Sequence, residues 1–200
     1  MTRTLRHTIA SIILAAAALL GIASMPASAE FYADDKNATD PARPQIEALA
    51  KEFAAYPAAF DCELAWGQMT DPGSVSMEFV PKGHDVRKWT RLVTIQTLGL
   101  PAKDADRKAM VKRLQGLMLA SYSQQGNVID TKEGIDANGT PTLFVEYEVG
   151  QGAAKEHNAA AIMKLRADLA GIVQIQSRGK PLAREDAAKM KALAIPATKN

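Results

Sequence analysis

Between Ser74 and Gly99 the chain alternates, breaks and alternates again, and this restricts the fold more than any other feature. Val75, Met77 and Phe79 alternate with Ser76 and Glu78, the period of two that gives a strand one buried face. Pro81, Lys82 and Gly83 end the run. Proline has no N–H for a ladder, and glycine accepts a positive φ. β-Branched residues return between Trp89 and Gln96, in Thr90, Val93, Thr94 and Ile95. The stretch is therefore two strands around a polar connection. Trp89 opens the second strand and is expected in the core, where truncation would cost about 3–5 kcal/mol.

The first 29 residues have the pattern of an export signal. Arg3 and Arg6 precede an uncharged apolar run from Ile9 to Ile22, and Ala27-Ser28-Ala29 is a small-residue cleavage site before Glu30. The run is too short and wrongly flanked for a spanning helix of roughly 20 apolar residues, and no cysteine stands ready for a lipid. The expected mature chain starts at Glu30, is periplasmic or secreted, and has no stable membrane anchor. The leader carries two of the 24 basic residues and none of the 22 acidic ones, so the mature chain is balanced. Such a chain has no electrostatic reason to bind nucleic acid. Cys62 is the one cysteine, which excludes an internal disulfide. It reads as a small buried hydrophobe, with Asp61 and Glu63 raising its thiol pKa.

Taken in order, residues 30–41 lack periodicity and are expected to be a flexible mature N-terminus. Asp40 is a candidate cap for a helix from Pro41 to Ala54 with Ile46, Leu49, Ala50 and Phe53 inward, and Pro57 stops it. Leu64 to Thr70 reads as a strand ended by the turn Asp71-Pro72-Gly73. Asp104 is a candidate cap for a long helix whose apolar stripe is Met110, Val111, Leu114, Leu117 and Met118. Tyr122 stands at the edge of that stripe, with Lys108, Lys112, Arg113 and Gln115 on the other side. Gly126 closes it. A hairpin follows, its two arms joined by Asn138-Gly139, the pair favoured by a type I′ turn with positive φ twice.

On the return arm Leu143, Val145, Tyr147 and Val149 alternate with Phe144, Glu146 and Glu148. Residues 153–168 are ambiguous. Their alanines and leucines favour a helix, while Ile162, Lys164 and Arg166 alternate as a strand would. Ile172 to Arg178 is a strand with Val173 and Ile175 on one side and Gln174 and Gln176 on the other, so a second hairpin turning at Asp168–Gly171 is expected. A final helix carries Ala187, Met190 and Leu193 inward. Residues 42–195 form a single domain on this reading, with 196–200 as a tail.

The residues EFVPKGHDVRKWTRLVTIQ, a strand ending in Val-Pro-Lys-Gly, a polar loop, a tryptophan and a β-rich strand, resemble the PsbP/Mog-like α/β/α sandwich and small exported bacterial proteins similar to it. The resemblance spans roughly Leu64 to Leu193. It implies an α+β fold, an antiparallel sheet flanked by helices, with residues 157–166 as a strand. It carries no catalytic or partner-binding residue to this chain.

No cluster of ligands at metal spacing occurs; His84 and His157 are far apart, and Asp136-Ala137-Asn138-Gly139 lacks the rest of a calcium loop. The methionines are scattered as gap fillers. No G-x-S-x-G elbow is present, and Gly150-Gln151-Gly152 lacks the third glycine and the lysine of a phosphate loop. No cofactor is implied. The candidate binding face is the polar side of two strands, Glu146, Glu148, Gln174, Gln176 and Arg178, which share a face only if the strands pair in that register. The leading expectation is an exported periplasmic accessory or binding protein without catalytic activity, whose partner is an unknown protein or small ligand. The alternative is a small periplasmic hydrolase with a site assembled from distant residues, for which a pocket would have to gather His84, Glu146, Glu148, His157 and Arg178.

Overall fold

The structure, a computed structural model, describes residues 29–34, 41–71 and 74–195. Residues 1–28 of the leader, Asp40, the Pro72-Gly73 turn and the tail after 195 lie outside the described residues. The strands are β1 (Ala29–Tyr32), β2 (Cys62–Asp71), β3 (Ser74–Pro81), β4 (Arg91–Gly99), β5 (Gly126–Ile135), β6 (Pro141–Val149), β7 (Glu156–Arg166) and β8 (Leu169–Arg178). The helices are α1 (Arg43–Glu52), the single turn α2 (Ala55–Ala58), α3 (Asp104–Gln125) and α4 (Arg184–Ala194).

All eight strands form one antiparallel sheet in the order β1-β2-β3-β4-β8-β7-β6-β5. The first four make a meander, and the last four make another that returns to pair β8 with β4. Gly99 and Pro101 stop the first meander. The 22 residues of α3, at about 1.5 Å per residue, then carry the chain to the far edge, where β5 begins.

The two faces hold separate cores. On the first face, Ile46 and Ala50 of α1 and Met190 and Ala194 of α4 pack with Phe53, Phe60, Met77, Phe79, Val93, Ile95, Phe144, Val173 and Ile175. On the second, Val111, Leu114, Met118 and Tyr122 of α3 pack with Leu143, Val145, Tyr147, Ala160, Ile162 and Ile172. A smaller cluster on the second face joins Val80, Val86 and Leu92 to Tyr32, Trp66 and Trp89.

Residues 153–168 are strand rather than helix, because β7 is covered on both faces. Ala159, Ala160 and Ala161 are all fully buried, so their small size serves packing from two sides and the usual alternation disappears. The turn is at Ala167-Asp168, since β8 already begins at Leu169. At Gly171 any Cβ would collide with Leu165 and with the Gln96 carbonyl, so only glycine fits there.

Several boundaries differ from the sequence expectation. Residues 30–32 are not a flexible terminus; they belong to β1, whose backbone pairs with β2 from Ala29↔Met69 to Tyr32↔Trp66. The first helix starts at Arg43 with Pro44 in its first turn, and Pro57 lies buried inside α2. Asp104 is the first residue of α3 rather than its cap; it pairs with Lys108 one turn on. Gln115 faces inward, its Nε2 donating to the Ile162 carbonyl at 3.2 Å. Only Gly139 of the Asn138-Gly139 pair has positive φ. The Asp136 carboxylate accepts from the Asn138 and Thr140 N–H groups, each at 2.8 Å, and this Asx geometry replaces the type I′ turn.

Candidate functional site

Cross-strand register decides which side chains can meet. Glu146 lies opposite Ala159 and Glu148 opposite His157, while Gln174 lies opposite Ala160, Gln176 opposite Asn158 and Arg178 opposite Glu156. Glu146 and Glu148 therefore share the first face with Phe144, and Gln174, Gln176 and Arg178 share the second with Tyr147. The expected five-residue binding face does not exist as one surface. Its two halves point to opposite sides of the sheet, because a strand alternates its side chains and the intervening β7 fixes the parity.

Nor are the glutamines a wet face. Gln174 and Gln176 are 2 % and 1 % exposed, and Asn158 beside Gln176 is 0 % exposed. With Thr94 and Gln96 of β4, also buried, they make a polar strip across β4, β8 and β7 on the second face. The strip lies between the apolar core under α3 and the cluster around Leu92 and Val80. Helix α3 packs on β5, β6 and β7 and shares its core cluster with Ala170 and Ile172 of β8 and Leu98 of β4.

What distinguishes the strip is incomplete pairing. Gln176 donates from Nε2 to Thr94 Oγ1 at 2.7 Å, but its Oε1 and both polar atoms of Asn158 are buried without a protein partner, while the Gln174 amide faces the Tyr147 hydroxyl. A buried polar group without a hydrogen bond costs about 1–3 kcal/mol, and folded proteins rarely leave several together. Next to the strip, Tyr122 stacks on Tyr147 with ring centroids 4.0 Å apart and planes 17° from parallel. Burial pushes both phenols well above their usual range, so each is neutral near pH 7 and neither is a base. At the end of the strip Arg178 lies over the Trp89 ring at 3.9 Å and donates through Nε and Nη2 to Glu156. Trp89 is thus half-buried beneath a guanidinium outside β4, not a member of the main core.

On the first face, Ser177, His157 and Glu146 stand on adjacent strands β8, β7 and β6, the residue types of a nucleophilic triad. Their bonding is different. His157 Nδ1 accepts the Leu182 N–H at 3.1 Å, so the ring proton sits on Nε2, which is 2.7 Å from Glu146 Oε1. Both ring nitrogens are occupied, and the buried Ser177 hydroxyl has no protein partner. The histidine ties β6, β7 and the segment leading into α4 together and has no lone pair left to activate the serine. Glu148 pairs with Lys155 at 2.9 Å, and His84 is exposed in the β3–β4 connection.

The Cys62 thiol is pushed up to about 11, chiefly by burial, with Arg91 opposing and Asp61 and Asp186 adding to it. It is half-buried and donates to the Phe60 carbonyl at 3.3 Å, so it behaves as a packed side chain and not a nucleophile. Among the described residues, no three His, Cys, Asp or Glu side chains gather as a metal ion would require. No described helix is long and apolar enough to cross a membrane.

Asn158, Thr94 and Tyr122 were not singled out as site residues by sequence. Asn158 sits in Glu156-His157-Asn158, where nothing in a one-residue pattern marks an unpartnered amide. Its signal is the register that places it beside Gln176. Compared with known families and curated proteins, the chain matches no family model and no curated protein.

Proposed function

We propose that this is an exported binding protein whose polar strip holds a small uncharged ligand. The observation that supports it is the pair of carboxamides at Asn158 and Gln176, sealed from solvent with both polar atoms of Asn158 and the Gln176 carbonyl oxygen unused. Polar groups that contribute nothing to folding are retained where they serve recognition, because a partner molecule can complete their hydrogen bonds. Arg178 and Glu156, at one end of the strip, already neutralise one another. Export rests on the leader pattern, and the PsbP/Mog-like α/β/α sandwich is the reading that fits helices packed on either side of the sheet.

Ligand-observed NMR tests the reading with a panel of methyl α-glucoside, glycerol, urea and uracil, against glutamate and putrescine as charged controls. At least one uncharged member should bind the wild type and lose binding in Asn158→Leu. If no uncharged member binds, or if binding survives the substitution, the reading is wrong.

The hydrolase alternative has one observation in its favour, the Ser177-His157-Glu146 alignment. Its occupied ring nitrogens argue against it. Hydrolysis of p-nitrophenyl acetate above background that Ser177→Ala abolishes would establish it.

A further inference from the structure

We infer that the outer edge of β5 is an interface through which two copies of this chain join their sheets. Strand β5 ends the sheet. It pairs with β6 from Gly126↔Val149 to Ile135↔Pro141, and among the described residues no strand lies on its other side. It is 10 residues long, against 4 for β1 at the opposite edge, and it contains no proline. The large apolar side chains that the described residues leave exposed, Ile129 at 47 % and Ile135 at 68 %, both stand on it. A long open edge bearing exposed isoleucines is a template for another strand.

The charges along β5 select which strand that is. Asp130 and Lys132 lie opposite Glu146 and Phe144 of β6, so both belong to the first face. Lys132 is exposed and makes no ion pair among the described residues, while Asp130 accepts from Lys191 at 2.6 Å. Two copies related by a two-fold axis through Thr131 pair antiparallel, and each Asp130 then stands opposite the partner's Lys132. An axis through Asp130, Lys132 or Glu133 would set a like charge against itself, which is destabilising. Thr131 is also next to the middle of the strand, so this register uses most of its length. Ile129 falls opposite the partner's Glu133 and Ile135 opposite the partner's Asn127, so docking covers both isoleucines. Lys132 and the bulge at Ile129 blunt the edge against unrelated strands. A strand with a carboxylate at the matching place answers the lysine, and β5 itself has one.

The helices leave room for this docking. Helix α3 lies chiefly over β6, and the two β6 strands of the pair would be three strand spacings apart, about 14 Å. Packed helices need about 8–10 Å between their axes, so the two α3 helices do not collide. Helix α4 lies chiefly over β7, farther from the axis.

Light scattering of the purified exported protein over a concentration series should reach twice the chain mass. Thr131→Cys sets two thiols across the axis at the Cα separation of opposed antiparallel residues, about 4.5–5.5 Å, which a disulfide spans. Mild oxidation should link Thr131→Cys into a dimer on a non-reducing gel. It should leave the wild type and Glu133→Cys unlinked, since Glu133 meets Ile129 and not itself. Lys132→Asp and Asp130→Lys should each weaken self-association roughly 10-fold, by opposing like charges where ion pairs stood. An equal mixture of the two variants should associate as tightly as the wild type, because each supplies the charge the other lacks. Thr131→Cys and Lys132→Asp keep the test open if Asp130→Lys, which gives up its bond to Lys191, fails to fold. A single-chain mass throughout the series overturns the inference. So does a dimer that Thr131→Cys does not link, or one that Lys132→Asp leaves unchanged.

Discussion

The two faces of the sheet share every strand and are built on different terms. The first face is a continuous apolar core beneath α1 and α4, in which Met77, Ile95, Ile175 and Met190 are fully buried. The second has two apolar patches separated by a strip of amides with unmet hydrogen bonds. Stability is concentrated where side chains are removed from water without leaving polar groups behind. The strip gives up part of that stability, and the difference between the faces supports the proposal that it serves recognition.

The contrast can be broken most strongly at Ile175, which lies on the first face between the two glutamines of the strip. Ile175→Ala should lower the unfolding free energy by about 2–5 kcal/mol, the range for emptying a packed core site; the midpoint and slope of urea denaturation measure it. A loss below about 1 kcal/mol would mean the first face is not the main core.

Next comes a strongly buried carboxylate of that face. Asp186 accepts from Arg91 Nη2 through both oxygens, each at 2.9 Å. Asp186→Ala strands the guanidinium, and a cost of about 2–3 kcal/mol is expected because Arg91 keeps some contact with solvent. The double variant with Arg91→Met should recover most of it, which a denaturation series over the four proteins would show.

On the second face the effects should be smaller. Trp89 packs under Arg178 at the edge of the cluster around Leu92, so Trp89→Ala should cost about 1–2 kcal/mol, less than the core tryptophan that sequence alone suggested. In the β5–β6 turn, the Asp136 carboxyl is held below its ordinary value. Burial opposes this, but hydrogen bonds from the Thr140 and Asn138 N–H groups and the charge of Lys164 outweigh it. A carboxyl with a depressed folded-state pKa contributes stability above its unfolded value, near 3.8, and loses it as pH falls through the folded value. Asp136→Ala should therefore cost about 1 kcal/mol at pH 6 to 7, and the gap from wild type should close in denaturation runs taken well below pH 3.8.

Much of the architecture was legible because alternation reports burial. β3 and the Glu146–Glu148 end of β6 show it, and Asn138-Gly139 marked a hairpin even though the turn it makes is an Asx turn. The same rule failed where a strand is buried on both sides. Ala159, Ala160 and Ala161 look helical because nothing alternates, and only the sheet around them makes small residues useful on both faces. The site failed for a related reason. Gln174 and Gln176 alternate with Val173 and Ile175 just as a solvated face would, and sequence contains no register between β8 and β6. A shift of one residue moves a strand's whole polar set to the other face, so Glu146 and Glu148 were grouped with glutamines that point away from them. Gln115 was misplaced by its polarity; its carboxamide reaches the Ile162 carbonyl from the inward side of α3.

Asn158→Leu tests the central claim most directly, since leucine branches at the same atom as asparagine and fills a similar shape. Asn158 is fully buried with both polar atoms unpartnered by protein, so the substitution removes no protein hydrogen bond and relieves the cost of burying an amide. Denaturant unfolding of the ligand-stripped protein should give Asn158→Leu a stability equal to or above wild type, by up to about 2 kcal/mol. A loss of the size a core substitution produces, about 2 kcal/mol or more, would show that the amide holds the fold together and would contradict the account.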